Sequence, residues 1–264
     1  MPHLKSFALK IENAQHDAFP FNLPVLQKLK SIAFSSTITF LVGENGSGKS
    51  TLLEGLAAAV GSITIGGEEL QRDPTLAHAR SLAKCLKLTW HKRTARGLFL
   101  RAEDFFNFSR RMNQLQRDLH EMKREYEGHL SGYGLQLAQG SAEAQRRAVL
   151  AKYGEDADAA SHGEGFLRLF QTRFVPGGLY ILDEPEAPLS PIRQLAFMSM
   201  LKEMIAQEAQ FIIATHSPIL MAFPGATILS LDHLPLRTVS YHELEHVTLT
   251  RDFLNNPEAF LRRL

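Results

Sequence analysis

The stretch SIAFSSTITFLVGENGSGKST, residues 31–51, decides the fold. An apolar, β-branched run, residues 31–42, reads as a buried strand, and it passes directly into Gly43-Glu44-Asn45-Gly46-Ser47-Gly48-Lys49-Ser50-Thr51. That segment fits the phosphate-loop pattern GxxxxGK[ST], and LLEGLAAAV after it is a helix by propensity. Glycines let the backbone curl so that successive N–H groups converge on phosphate oxygens, and the helix start adds the positive end of its dipole. Lys49 then offers a full charge to the terminal phosphates, and the Ser50 hydroxyl suits Mg²⁺. A strand before and an Ala/Leu helix after are the context that such a loop requires.

Two further motifs follow. Residues 178–182 form a short apolar strand that carries Asp183 and Glu184 to its end, in DEPEAPLSP. Asp183 is placed for the Mg²⁺ hydration shell, and Glu184 for polarising or deprotonating an attacking water. Adjacent carboxylates repel, and a cation removes much of that cost. The apolar strand 211–214 ends in Thr215-His216-Ser217-Pro218. In a parallel sheet all three strand ends share one edge, so His216 falls near the other two motifs, within reach of a γ-phosphate and its water.

In this order and spacing, GENGSGKST, LYILDEPEAPLSP and ATHSP resemble the ABC-type ATPases. The likeness is strongest to the small soluble members grouped as AAA/ABC-like ATPases, related to SMC and Rad50 heads. The resemblance spans residues 31–218. It implies a P-loop NTPase of ABC type: an α/β fold with a mostly parallel sheet flanked by helices, a small β lobe, and a helical insert carrying a signature segment. It implies one ATPase domain over residues 1–264, with the insert at about 103–172. Mg²⁺-dependent hydrolysis of ATP to ADP and phosphate would use Lys49, Glu184 and His216. Gly43, Glu44, Asn45, Gly46, Ser47, Gly48, Lys49, Ser50 and Thr51 would bind the nucleotide, and Ser50 and Asp183 the metal.

The family also implies a segment of LSGGE type before the Asp-Glu strand, and Ala160-Ser161-His162-Gly163-Glu164 suits it. Ser161 and the Gly163 N–H would bind the γ-phosphate of ATP held by a second subunit, giving a homodimer closed by an ATP sandwich. His162 replaces the usual first glycine, and Ser161 with Glu164 equally makes a helix capping box. Ser190 stands where transporters carry an aspartate. The family's glutamine lever has no counterpart near Arg101-Ala102-Glu103, where Arg101 or Glu103 could substitute. Phe19 or Phe21 could stack on adenine.

Composition bounds the rest. The chain has 264 residues, 44% hydrophobic and 22% charged, as expected of a protein burying a proper core. Lys and Arg total 29 against 28 Asp and Glu, so bulk charge does not indicate a nucleic-acid partner. Arg110, Arg111, Arg117, Lys123 and Arg124 could still form a local phosphate-binding face. Met112, Leu115, Leu119, Met122 and Tyr126 make a short apolar seam on a helix over residues 109–127. A lone cysteine, Cys85, expected as a small buried hydrophobe, fits a reducing compartment. No run suits a signal peptide or membrane span, so a cytoplasmic protein without direct membrane insertion is expected. Alternative roles are a nucleotide-binding subunit docked on a membrane transporter, an ATPase head acting on nucleic acid, or a module using ATP only as a regulatory ligand. Beyond a second copy, the effector protein is unknown.

Overall fold

The computed structural model describes residues 1–10, 17–64, 76–105 and 162–262, with isolated positions in between. Five strands lie parallel in a six-stranded sheet: β3 (Ile38–Val42), β5 (Gly97–Arg101), β6 (Leu179–Asp183), β7 (Gln210–Ala214) and β8 (Thr227–Ser230). The order is β5-β6-β7-β3-β8-β9, and the edge strand β9 (Arg237–Thr238) runs antiparallel to β8. A separate antiparallel sheet joins β1 (Leu4–Leu9) to β2 (Ser31–Ala33) and β4 (Leu86–Trp90), in the order β2-β1-β4. This is the mixed α/β architecture with a mostly parallel sheet that the motif order implies.

The apolar run at residues 31–42, expected as one strand, is two. Ser31–Ala33 pairs in the small sheet and Ile38–Val42 in the large one. Between them, the Ser36 hydroxyl donates to the Ile38 carbonyl and hydrogen-bonds with the Thr227 hydroxyl, so a polar corner turns the chain from sheet to sheet. Hydrophobicity gave no warning of this, because both pieces are apolar and the break is carried by Ser35, Ser36 and Thr37.

Parallel strands buried on both faces need cover on both, and the helices supply it. Alternate residues of each strand enter different cores. Phe40, Leu100, Tyr180, Leu182, Phe211 and Ile213 pack into one. That core meets α4 (His162–Arg173), α5 (Pro191–Ala206) and α7 (Glu245–Asn255) through Phe166, Phe170, Phe197, Leu201 and Val247. Leu41, Phe99, Ile181 and Ile212 face the other way, onto α1 (Pro24–Lys28), α2 (Lys49–Val60), α3 (Ala77–Cys85) and the small sheet. Two shorter helices, α6 (Pro218–Met221) and α8 (Pro257–Leu261), also lie among the described residues. Neither α1 nor α3 has a counterpart in the motif reading. Strand β9 ends at Thr238, and a 3₁₀ turn follows over Tyr241–Glu243. Cys85 is half-buried at the end of α3, against the α2-side core.

Candidate functional site

Because β3, β6 and β7 run parallel, their carboxyl ends meet at one edge. In register, Leu41 pairs with Ala214 and Asp183 with Ala214, so the three motif loops spring from adjacent positions. Gly46 and Gly48 have φ of 81° and 94°, the left-handed region that glycine tolerates without penalty. Gly48 also has no room for a side chain, since a Cβ there would stand 2.8 Å from Val25 Cγ1. The loop can therefore wrap tightly onto the amino end of α2.

Lys49 is buried, and its Nζ donates to the carbonyls of Gly43 (2.7 Å) and Glu44 (2.9 Å). Burial lowers its pKa, against the pull of Glu184, Asp183 and Asp232. Asp183 is also buried, and burial raises its pKa to about 7. The Ser50 hydroxyl bonds to Asp183 and opposes that rise, while the like charges of Glu184 and Glu54 add to it. Asp183 Oδ1 is buried without a hydrogen-bond partner. An orphaned buried carboxylate oxygen beside a serine hydroxyl is a hard-oxygen donor set, which fits Mg²⁺.

Glu184 has φ 50°, rare for a residue with a Cβ and costing of order 1–3 kcal/mol. Its N–H donates to the Ala214 carbonyl (2.9 Å), which ties the turn to β7. The Glu184 side chain, 43% exposed, stands with Oε1 3.6 Å from His216 Nε2. Burial, then the nearby Lys49 charge, lowers the His216 pKa, so the ring is neutral at pH 7.

Two residues of this edge escaped the sequence reading. Glu186 Oε1 accepts the His216 N–H (2.7 Å), and its carboxylate also bonds to Thr215, so it fastens the Thr215-His216 turn to the β6 turn. Burial raises its pKa. Its only signal was its place inside DEPE, where it passed for part of an acidic turn. Asp232, after β8, accepts the N–H of Glu44 (2.8 Å) and so holds the first residues of the glycine loop. Nothing in its local sequence marks it. Beyond Gly43 and Glu44 opens a cavity of about 710 Å³, lined among others by His216, Asp232, His233, Arg237, Glu243 and His246.

Gly163 lies in the first turn of α4 and is buried. A Cβ on it would stand 2.9 Å from the Pro188 carbonyl and 2.8 Å from Arg193 Cδ, so the segment it begins packs against the turn after β6. Ser161 lies outside the described residues, as do Arg111, Lys123, Arg124 and the apolar seam from Met112 to Tyr126. Phe21 is buried in the α2-side core and is not available to a base. Phe19 is exposed, its ring tilted on that of His78 with centroids 5.2 Å apart. Arg101, at the end of β5, is held by Asp104 through Nε (3.0 Å) and Nη2 (2.8 Å).

A glycine loop between a central parallel strand and a helix, with its lysine buried and an Asp-Glu strand end beside it, defines an ABC-type P-loop ATPase fold. The chain belongs to the family described as "AAA domain, putative AbiEii toxin, Type IV TA system", whose model matches residues 87–222, more than half of the chain. A further AAA-domain family model matches residues 20–147. A comparison with curated proteins returned no match. Among solved structures, the chain is similar to an inward-facing "metal-chelate type ABC transporter", at 18% identity and a TM-score of 0.47, covering 96% of this chain and 89% of that one. It is also similar to the Smc head domain of Pyrococcus furiosus bound to the C-terminal domain of ScpA, at 12% identity and a TM-score of 0.41, covering 96% and 100%. A third is cbiO1 of Clostridium perfringens, part of the ABC transporter complex cbiONQ, at 15% identity and a TM-score of 0.44, covering 99% and 100%.

Proposed function

We propose that this chain binds ATP with Mg²⁺ and hydrolyses it to ADP and phosphate. The observation that carries the reading is the meeting, at one sheet edge, of Lys49, the Ser50–Asp183 pair and the Glu184–His216 pair. In this reading the N–H groups of residues 43–51 cradle the phosphates, and Lys49 exchanges its carbonyl partners for phosphate oxygens. Ser50 and Asp183 hold Mg²⁺, which when bound offsets charge on the terminal phosphates. Glu184 orients the attacking water and takes its proton. Neutral His216 steadies the same water and the γ-phosphate through Nε2.

The whole chain acts as one ATPase domain in this proposal, with residues of about 103–172 as an insert ending in the segment that includes Ser161 and Gly163. That segment caps the γ-phosphate bound by a second copy, so ATP joins two protomers and hydrolysis releases them. No helix among the described residues is long and apolar enough to cross a membrane. We place the ATP cycle in the cytoplasm, acting on an effector protein that the two joined protomers recognise.

Substituting Glu184→Gln tests the core of this reading. It keeps shape and removes the base, so the variant should retain Mg-ATP and accumulate as a dimer on sizing. A variant that stays monomeric at high protein concentration with Mg-ATP rules out the sandwich. A wild-type chain that releases no phosphate in single turnover rules out hydrolysis.

A further inference from the structure

Under the metal-binding edge lies a buried ionic cluster that the proposed chemistry leaves unused. Glu54 is on α2, one helical turn after Ser50, so the two side chains share a helix face. It is buried, and each carboxylate oxygen has one partner. Oε1 accepts from Arg101 Nη1 at 3.3 Å, and Oε2 lies 2.6 Å from His78 Nε2 on α3. Arg101 in turn is the β5 residue in register with Asp183 on β6. Glu54 therefore shares a helix face with the serine and touches the residue paired in register with Asp183, with its head fixed from two sides.

Ion pairing alone does not account for a carboxylate here. Arg101 is already charge-matched by Asp104, to which it donates two bonds, and by Glu103 at 3.2 Å. Burying another carboxylate beside Asp183 costs desolvation and like-charge repulsion, whereas an apolar residue would suit the helix face. A divalent cation at the edge would offset that cost. Mg²⁺ keeps several waters, and those waters need acceptors. An ionised carboxylate has about four acceptor positions, of which Glu54 commits two.

We propose that Glu54 is the outer carboxylate of the metal site, accepting hydrogen bonds from water on a cation held by Ser50 and Asp183, with Arg101 and His78 fixing its direction. It is a positioning residue, since it acts through water and touches neither the phosphates nor the cation. The inference rests on the nucleotide reading above, and the test separates the two.

The probe is Mn²⁺, its binding to the full chain followed by electron paramagnetic resonance with a non-hydrolysable ATP analogue present. Analogue affinity is measured separately in EDTA. Glu54→Gln preserves shape and removes the charge. Its Mn²⁺ affinity should fall about tenfold, with analogue affinity in EDTA within about twofold of wild type. Unchanged Mn²⁺ affinity in the folded variant overturns the proposal. So does an equal loss in EDTA, which marks a merely structural carboxylate. Should Glu54→Gln fail to fold, His78→Gln leaves the carboxylate but frees one side of it. A loss of about threefold is then expected, and no loss overturns the proposal. A wild-type chain that binds the analogue neither with Mn²⁺ nor in EDTA refutes the nucleotide reading itself.

Discussion

His216 Nε2 stands 3.6 Å from Glu184 Oε1, although the two residues end different strands of one parallel sheet. The gap is just beyond hydrogen-bond length and too short for a water between them, so a water bonded to both sits to one side of the pair. If both act on that water, Glu184→Gln should lower the single-turnover rate of phosphate release by about 10²–10⁴-fold, with nucleotide affinity retained. His216→Ala should cost less, about 10–10²-fold, since it removes orientation and keeps the base. Equal losses in rate and affinity would contradict this division of labour.

Lys49 brings a full positive charge inside the loop's curl. Lys49→Ala should weaken Mg-ATP binding by about 10²-fold while unfolding at nearly the wild-type temperature, because its present partners are carbonyls with other acceptor capacity. Titration with a fluorescent ATP analogue measures the first quantity and calorimetry the second. Undiminished affinity would refute the cradle.

Asp183 supplies a pH dependence whose sign can be worked out. Its carboxyl ordinarily titrates at 3.8, and in the fold at about 7. Between those values the folded chain holds a proton that the unfolded chain has released, so stability falls as pH rises through this window. In EDTA, the unfolding temperature should decline from pH 5 to pH 8, and Asp183→Asn should flatten the profile. Saturating Mg-ATP should also flatten it, since a bound cation takes the proton's place. A stability that climbs with pH in EDTA would contradict the assignment.

Glu186 fixes the backbone of His216 and the hydroxyl of Thr215. Glu186→Gln retains an acceptor and should leave turnover within about threefold of wild type, whereas Glu186→Ala strands a buried N–H and should cost about 1–3 kcal/mol of stability. Denaturant titration of the pair distinguishes them, and equal stability of both variants would discount the tether.

Gly163 tests the join between α4 and the turn after β6. Its Cβ would meet the Pro188 carbonyl and Arg193, so Gly163→Ala should destabilise the chain by about 1–3 kcal/mol through overpacking. A neutral result would show that α4 can shift away from that turn.

What sequence could show of this edge depended on how far its geometry is local. The glycine loop declares itself because the φ values at Gly46 and Gly48 are demanded within a few residues. Asp183 and His216 were readable because strand direction alone brings their ends together. Phe21 looked as available as Phe19, and only the packing of α1 and the small sheet put one inside and left the other outside. Asp232 and Glu54 were invisible for a related reason. Their partners, Glu44 and Arg101, come from elements whose adjacency is a property of the folded sheet, and no spacing rule reports it. The split between β2 and β3 was hidden because two apolar strands in succession look like one.

The bond from Lys49 to its own loop carbonyls has a consequence for selectivity. The ammonium group is already solvated by the host, so an incoming anion must outcompete two internal oxygens and gains nothing from merely relieving a bare charge. Small monovalent anions have little with which to compete, while a polyphosphate brings several oxygens at once. A cradle built this way favours multivalent visitors over small monovalent ones.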